Sequence, residues 1–170
     1  LGGFNSGFTL LSSAERRAFS TGVTAAISAT LSAVRTSRMS QSLSDGSIYG
    51  YTMGGSSTGG VAGGVTTTDR LTFSTSAIAA STASNVSVAR SDIGTVSDGA
   101  VYGYTCGGYN TSVAPVTTGD RTTFSTSATA ALTSANLSVA RAGLNGVSDG
   151  ATYGYFSGGE STATSSYVAT

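Results

Sequence analysis

The sequence predicts an all-β fold built from a repeat of about 52 residues. Three observations carry this. The stretch Val96-Ser97-Asp98-Gly99-Ala100-Val101-Tyr102-Gly103-Tyr104-Thr105-Cys106-Gly107-Gly108 recurs at 43–55 and at 147–159, and Gly2-Gly3 is the tail of a further copy. The Gly-Gly pairs lie 52, 53 and 51 residues apart, and a fixed period in this range marks a repeat architecture. The composition is the second observation. Only 9% of residues are charged, against about 25% in ordinary globular chains, and the polar residues are small, neutral and often β-branched, which suits strands. Third, each copy places Asp-Gly between two extended runs, a hairpin signal that uses the low cost of positive φ at glycine.

Each element follows from the repeat. Residues 1–12 run from Gly2-Gly3 through a Gly/Ser linker holding Phe4 and Phe8. Glu15-Arg16-Arg17-Ala18-Phe19-Ser20-Thr21 then matches Asp69-Arg70-Leu71-Thr72-Phe73-Ser74-Thr75 and Asp120-Arg121-Thr122-Thr123-Phe124-Ser125-Thr126. An acid, an Arg and two spacers before Phe-Ser-Thr predict a short strand with one large apolar anchor. A looser Ala/Thr/Ser segment follows, ending in Leu31–Arg35, Val86–Arg90 or Leu137–Arg141, where apolar and small residues alternate as in a strand. Read alone, 13–41 would pass for an Ala-rich helix; its register with the two later copies argues for strands. After each Arg an apolar stretch leads to Ser-Asp-Gly, and then comes the strand that defines the repeat. Tyr102, Tyr104 and Cys106 face one side, and Val101, Gly103 and Thr105 the other. Large aromatics on one face and a glycine on the other suit a sheet packed on both sides, with the glycine admitting a close neighbour. Loops 56–67, 109–118 and 160–170 follow the Gly-Gly pairs and differ most between copies.

One repeat thus reads as four short strands: before Ser-Asp-Gly, after it, at Phe-Ser-Thr, and at the segment ending in Arg. Four strands per ~50 residues is the blade of a β-propeller. The order Arg, apolar strand, Asp-Gly, x-x-Tyr-x-Tyr-x-x-Gly-Gly, loop, strand, strand, Arg resembles the kelch repeat, over nearly the whole chain and about 3.3 copies. The departures are the missing Trp of the kelch fourth strand and the missing Tyr-Asp of its third. The variant is similar to Tyr-Gly-Tyr repeat proteins of phage and cyanobacterial origin. The resemblance implies kelch-like four-stranded blades of a β-propeller or propeller-like assembly. Residues 1–35 form a partial blade, 36–90 and 91–141 whole blades and 142–170 a second partial blade, in what is expected to be a portion of a longer chain. About three blades do not fill a ring of four to eight. Closure is expected from further blades of the same chain or from self-association, and 1–35 and 142–170 together hold the strands of one blade.

Twelve of the sixteen charges occupy recurring slots. Glu15, Arg16, Arg35 and Asp45 are followed by Asp69, Arg70, Arg90 and Asp98, then by Asp120, Arg121, Arg141 and Asp149. They are expected to pair or hydrogen-bond within and between blades and to fix strand register. The other reading, a ring of Arg lining a central channel for an anionic ligand, rests on the preference of such ligands for Arg. Only Arg17, Arg38, Asp92 and Glu160 lie outside the pattern.

Catalytic material is scarce. The chain has no His and no Lys, which removes the commonest general base and the Schiff-base amine; the copper site of galactose oxidase, a propeller enzyme with kelch-type repeats, needs histidines. Cys106 falls in the slot of Met53 and Ser157 and reads as a packing residue. The Asp45, Asp98 and Asp149 turns lack Asp-x-Asp calcium spacing, and Gly54–Gly64 lacks the Gly-Lys-Ser/Thr of a phosphate loop. No cofactor or metal is expected. Sequons occur at Asn85, Asn110 and Asn136. Thr rows at 66–68 and 122–123 read as solvent-facing strand positions, with an ice- or glycan-facing surface as the lesser alternative. Zero net charge argues against nucleic acid, and no apolar run approaches the ~18 residues of a membrane span.

The expected function is a non-catalytic structural and recognition module of a virion, tail fibre or extracellular appendage, binding protein or glycan through the variable loops. Loops on a rigid scaffold are where binding residues concentrate, and Tyr109 and Tyr167 are the candidate contacts because Tyr gives area at low entropic cost. The alternatives are an intracellular kelch-type scaffold and, less favoured, a propeller enzyme with its active site outside this segment.

Overall fold

The computed structural model describes residues 2–7, 9–36, 40–161 and 166–167; Arg38 lies outside them. The protein is all-β, with antiparallel strands and, among the described residues, two single 3-10 turns. Strands β5 (Ser40–Ser44), β6 (Tyr49–Gly54), β7 (Thr68–Thr72) and β8 (Ala77–Ala80) form one four-stranded sheet in chain order. Strands β9 (Gly94–Ser97), β10 (Tyr102–Cys106), β11 (Gly119–Thr123) and β12 (Ala128–Ala131) form a second. On either side stands a two-stranded sheet: β3 (Ala14–Arg17) with β4 (Thr24–Ile27), and β13 (Asn145–Ser148) with β14 (Gly154–Ser157). The first has the third and fourth strands of a repeat, the second the first and second. The hairpins β1 (Gly3–Phe4) with β2 (Leu10–Leu11) and β15 (Glu160–Ser161) with β16 (Ser166–Tyr167) occupy the loops after Gly-Gly. Among the described residues the sheets form a row and no closed ring, and no helix is long and apolar enough to cross a membrane. The stretch 13–41 is not helical: Glu15 pairs with Ala26 and Arg16 with Ala25, as Asp120 pairs with Ala131 and Arg121 with Ala130.

Two strand assignments shift. The third strand is the Asp-Arg stretch, and Phe-Ser-Thr is the turn that follows it. Thr126 and Ser127 donate to the carbonyls of Thr123 and Phe124, and Ser76 and Ser127 take φ 56° and 53°. The fourth strand is the Ala/Thr run, fixed by a bond between the Thr122 and Thr129 hydroxyls at 2.8 Å. The segment ending in Arg follows a 3-10 turn (η1, Thr82–Ser84; η2, Thr133–Ala135). It runs irregularly along the loop before the third strand, with Leu137 and Arg141 donating to Thr117 and Val116. The Thr rows are not a surface either. Thr68 and Thr122 are buried, and the Thr68 hydroxyl donates to Ser84 at 2.9 Å. The Ser-Asp-Gly hairpins form as expected, but with four residues between the strands in the two complete sheets and five between β13 and β14.

Consecutive sheets pack face on face and always in one sense. Tyr51 and Met53 leave β6 toward the next sheet, where the Tyr51 ring stacks on Phe124 with 5.8 Å between centroids and its hydroxyl meets Ser127 Oγ at 2.9 Å. The opposing sheet offers Gly103, where a Cβ would lie 2.7 Å from Leu43 and 3.1 Å from Phe124. Leu43, Tyr51, Met53, Val86, Ile93 and Phe124 form the core between the two complete sheets. The first strands lie close together, with Thr95 and Ser97 hydroxyls donating to the carbonyls of Ser42 and Ser44. At the outer edge β12 meets η1, with Ser84 Oγ donating to Ser127 O. The sheets are therefore tight at the first strand and wedged apart by a 3-10 turn at the fourth.

Candidate functional site

The sheets meet at a joint built on the recurring Arg. After β8 the chain crosses to the next sheet at Arg90. Its backbone belongs to the sheet behind: its N–H donates to Val65 and its carbonyl accepts from Gly55. Its side chain belongs to the sheet ahead, donating at 2.7 Å to the carbonyls of both Gly107 and Thr118 and pairing with Asp120. Arg35 repeats this with Thr67 and Asp69. Arg141 has its backbone against Val116 and Gly108 and its side chain on Gly158 O. Both ion pairs are fully buried. Burial pushes Arg35 and Arg90 below the usual guanidinium value, with Asp69 and Asp120 pulling the other way. The carboxylates also accept backbone N–H groups, from Ser32 and Ser87 respectively. A buried charge survives only when paired and hydrogen-bonded, and each joint supplies both.

The Gly-Gly pair makes this approach possible. Gly107 and Gly108 have φ 67° and 96°. A Cβ on Gly108 would lie 2.5 Å from the Ser91 carbonyl, where Ser91 and Tyr109 exchange both backbone bonds. Ile93 and Leu144, each one residue before the following strand, plug the joints and are almost wholly buried.

The other recurring charges act locally. Arg70 and Arg121 lie over the Tyr49 and Tyr102 rings at 4.3 and 4.6 Å, and Arg70 also donates to Ser127 Oγ at 2.9 Å. Asp98 Oδ1 accepts the N–H groups of Ala100, Val101 and Tyr102, and Asp45 and Asp149 repeat the arrangement. Burial opposes the charge on Asp98 and Asp45, yet these bonds outweigh it and hold both below the usual value; on exposed Asp149 the Tyr153 N–H leads the same lowering. Arg35 and Arg90 therefore bind neighbouring sheets, which leaves no Arg ring of the kind an anion channel would need at these two slots.

Tyr109 is buried and its backbone is bonded into the joint at Ser91, and the exposed tip of its loop is Thr111–Val113. Tyr167 lies in β16 with its backbone opposite Glu160. Asn85 and Asn136 cap third strands, accepting from Thr68 and Gly119 at 2.9 and 2.8 Å, and Asn110 closes its own loop onto Ser112 and Ala114. Burial pushes the Cys106 thiol up to about 11, which makes it a weak nucleophile. Among the described residues no three metal-binding side chains cluster. The αL serine of the Phe-Ser-Thr-Ser turn carries one mark in the sequence: Gly22 fills that slot in the first copy, with φ 70°.

No protein-family model matches the chain, and no curated protein matches it.

Proposed function

We propose that the chain is a structural and recognition module of kelch-like propeller blades, non-catalytic and displayed on a virion, tail fibre or extracellular appendage. It binds protein or glycan through the loops that follow Gly-Gly. The observation that carries this reading is the coexistence, at one end of the sheets, of the rigid Arg–Asp joints and the most variable segments. Loop 56–64 folds on itself through Ser56 and Thr58, both bonded to the Ala62 carbonyl, and reaches the next sheet where Ser91 Oγ donates to Val61 O at 2.7 Å. Such loops are preorganised, which lowers the ordering cost of binding. The exposed loop tips supply the contacts around buried Tyr109.

The test is a screen of the immobilised chain on a glycan array and on intact bacterial cells. The reading expects binding that is lost when 57–61 and 111–113 are replaced by Gly-Ser of equal length, with the thermal midpoint retained. No binding to either, or binding indifferent to both loops, overturns it.

A further inference from the structure

We propose that the half-sheets β3–β4 and β13–β14 carry complementary edges, and that the 170 residues by themselves join these edges between two copies, which close a ring of six sheets. This goes beyond the loop-binding reading and does not depend on it.

The complete sheets show what each half lacks. In them the second strand pairs with the third: Gly103 opposite Thr122, Tyr104 opposite Arg121. Among the described residues β14 pairs only with β13, and β3 only with β4. By repeat alignment Gly154 belongs opposite Arg17, and Tyr155 opposite Arg16. Three features mark these edges as mates. In complete sheets the Phe that follows the third strand packs on the glycine of the second: a Cβ on Gly50 or Gly103 would lie 3.1 Å from Phe73 or Phe124. Phe19 holds the same slot and is 98% exposed; its seat is Gly154. Second, Arg70 bonds Ser127 of the next sheet and covers Tyr49 of its own. Arg16 already makes the first contact, to Ser76 Oγ at 3.2 Å, and Tyr153 supplies the second. Third, Leu43 fills the space before Gly103 and Val96 that before Gly154. The groove before Gly50, about 250 Å³ and lined by Leu71 and Phe73, is the same feature on the first complete sheet. Val147 of a second copy fits it, and on its own chain Val147 is 63% exposed.

The copy number is that of the 170 residues taken by themselves. Among the described residues two complete sheets and two halves amount to three sheets. One copy closing on itself gives three and three copies give nine, both outside the usual four to eight; two copies give six.

Two measurements test this. The first is the mass of the 170-residue chain by light scattering, where a single species of twice the chain mass is expected; a monomer or an open-ended polymer overturns the proposal. The second uses Ala14→Cys with Ser157→Cys in a Cys106→Ser background. These positions align with Gly119 and Cys106, which face each other across β11 and β10, and facing antiparallel Cα atoms about 4.5–5.5 Å apart are within disulfide reach. Oxidation should give a cross-linked two-chain product only when both cysteines are present. A disulfide within one chain, or none, overturns the proposal. Phe19→Ser should weaken association ~10-fold or more, as expected for a buried aromatic anchor; unchanged association also overturns it.

Discussion

The complete sheets and the half-sheets share one sequence pattern and differ in what surrounds it. Tyr51 is 1% exposed and its counterpart Tyr155 56%; Phe124 is 5% exposed and Phe19 98%. The residues are alike, so the difference lies in the strands and sheets beside them. A repeat of this kind cannot bury its own faces, and nearest-neighbour contacts hold most of the stability. The turns behave otherwise. Asp45, Asp98 and Asp149 make the same three backbone bonds whether their sheet is complete or half. Turn chemistry is local, whereas joint and face chemistry need a neighbour.

The largest effect that would sharpen this contrast comes from the joint. Asp120→Ala leaves Arg90 buried and unpaired and should cost about 3–5 kcal/mol in urea unfolding. Replacing the pair together, Arg90→Met with Asp120→Leu, should recover most of that loss, since well-packed apolar residues often substitute for a buried pair. A double variant as unstable as the single one would show that the joint depends on the Arg bonds to Gly107 and Thr118 carbonyls more than on the charge pair.

A middle effect separates two glycines of positive φ. Gly108→Ala meets both strain and the Ser91 carbonyl and should cost about 1–3 kcal/mol. Gly99→Ala meets nothing within 4 Å and should cost only the αL penalty of about 1–2 kcal/mol. Equal losses in thermal unfolding would break the distinction between joint and turn.

The smallest effect is a pH dependence. The folded Asp98 carboxyl titrates below its ordinary value of 3.8. Its contribution is therefore complete above that value and is lost as pH falls through the lower, folded one. The gap in thermal midpoint between the native chain and Asp98→Asn should be constant near neutrality and close in strong acid. Asp149→Asn should behave alike, because its turn needs no neighbouring sheet; a gap that widens in acid would contradict the sign.

How much of this was legible in the sequence follows the same division. The hairpins could be read from Ser-Asp-Gly, and the two-faced strand from Tyr-Gly-Tyr, because both are local patterns of period or turn chemistry. Phe-Ser-Thr reads as a strand because Phe and Thr favour strands, while the αL geometry of Ser76 and Ser127 is imposed by the turn. The segment ending in Arg alternates like a strand, yet its backbone bonds go to a loop. The recurring Asp and Arg slots were legible as structural charges. That Arg90 binds one sheet with its backbone and the next with its side chain was not, since pairing across 30 residues leaves no mark in local sequence. Tyr109 reads as a loop aromatic but is drawn under the joint by its exchange with Ser91.

Completion of each half-sheet by the other, as proposed above, is read by amide hydrogen exchange on the 170-residue chain. Residues 154–157 and 14–17 should be protected about as well as 102–106 and 119–123, because each edge then has a partner strand. Fast exchange at 154–157 and 14–17 beside slow exchange at 102–106 would contradict it and leave both half-sheets as true edges.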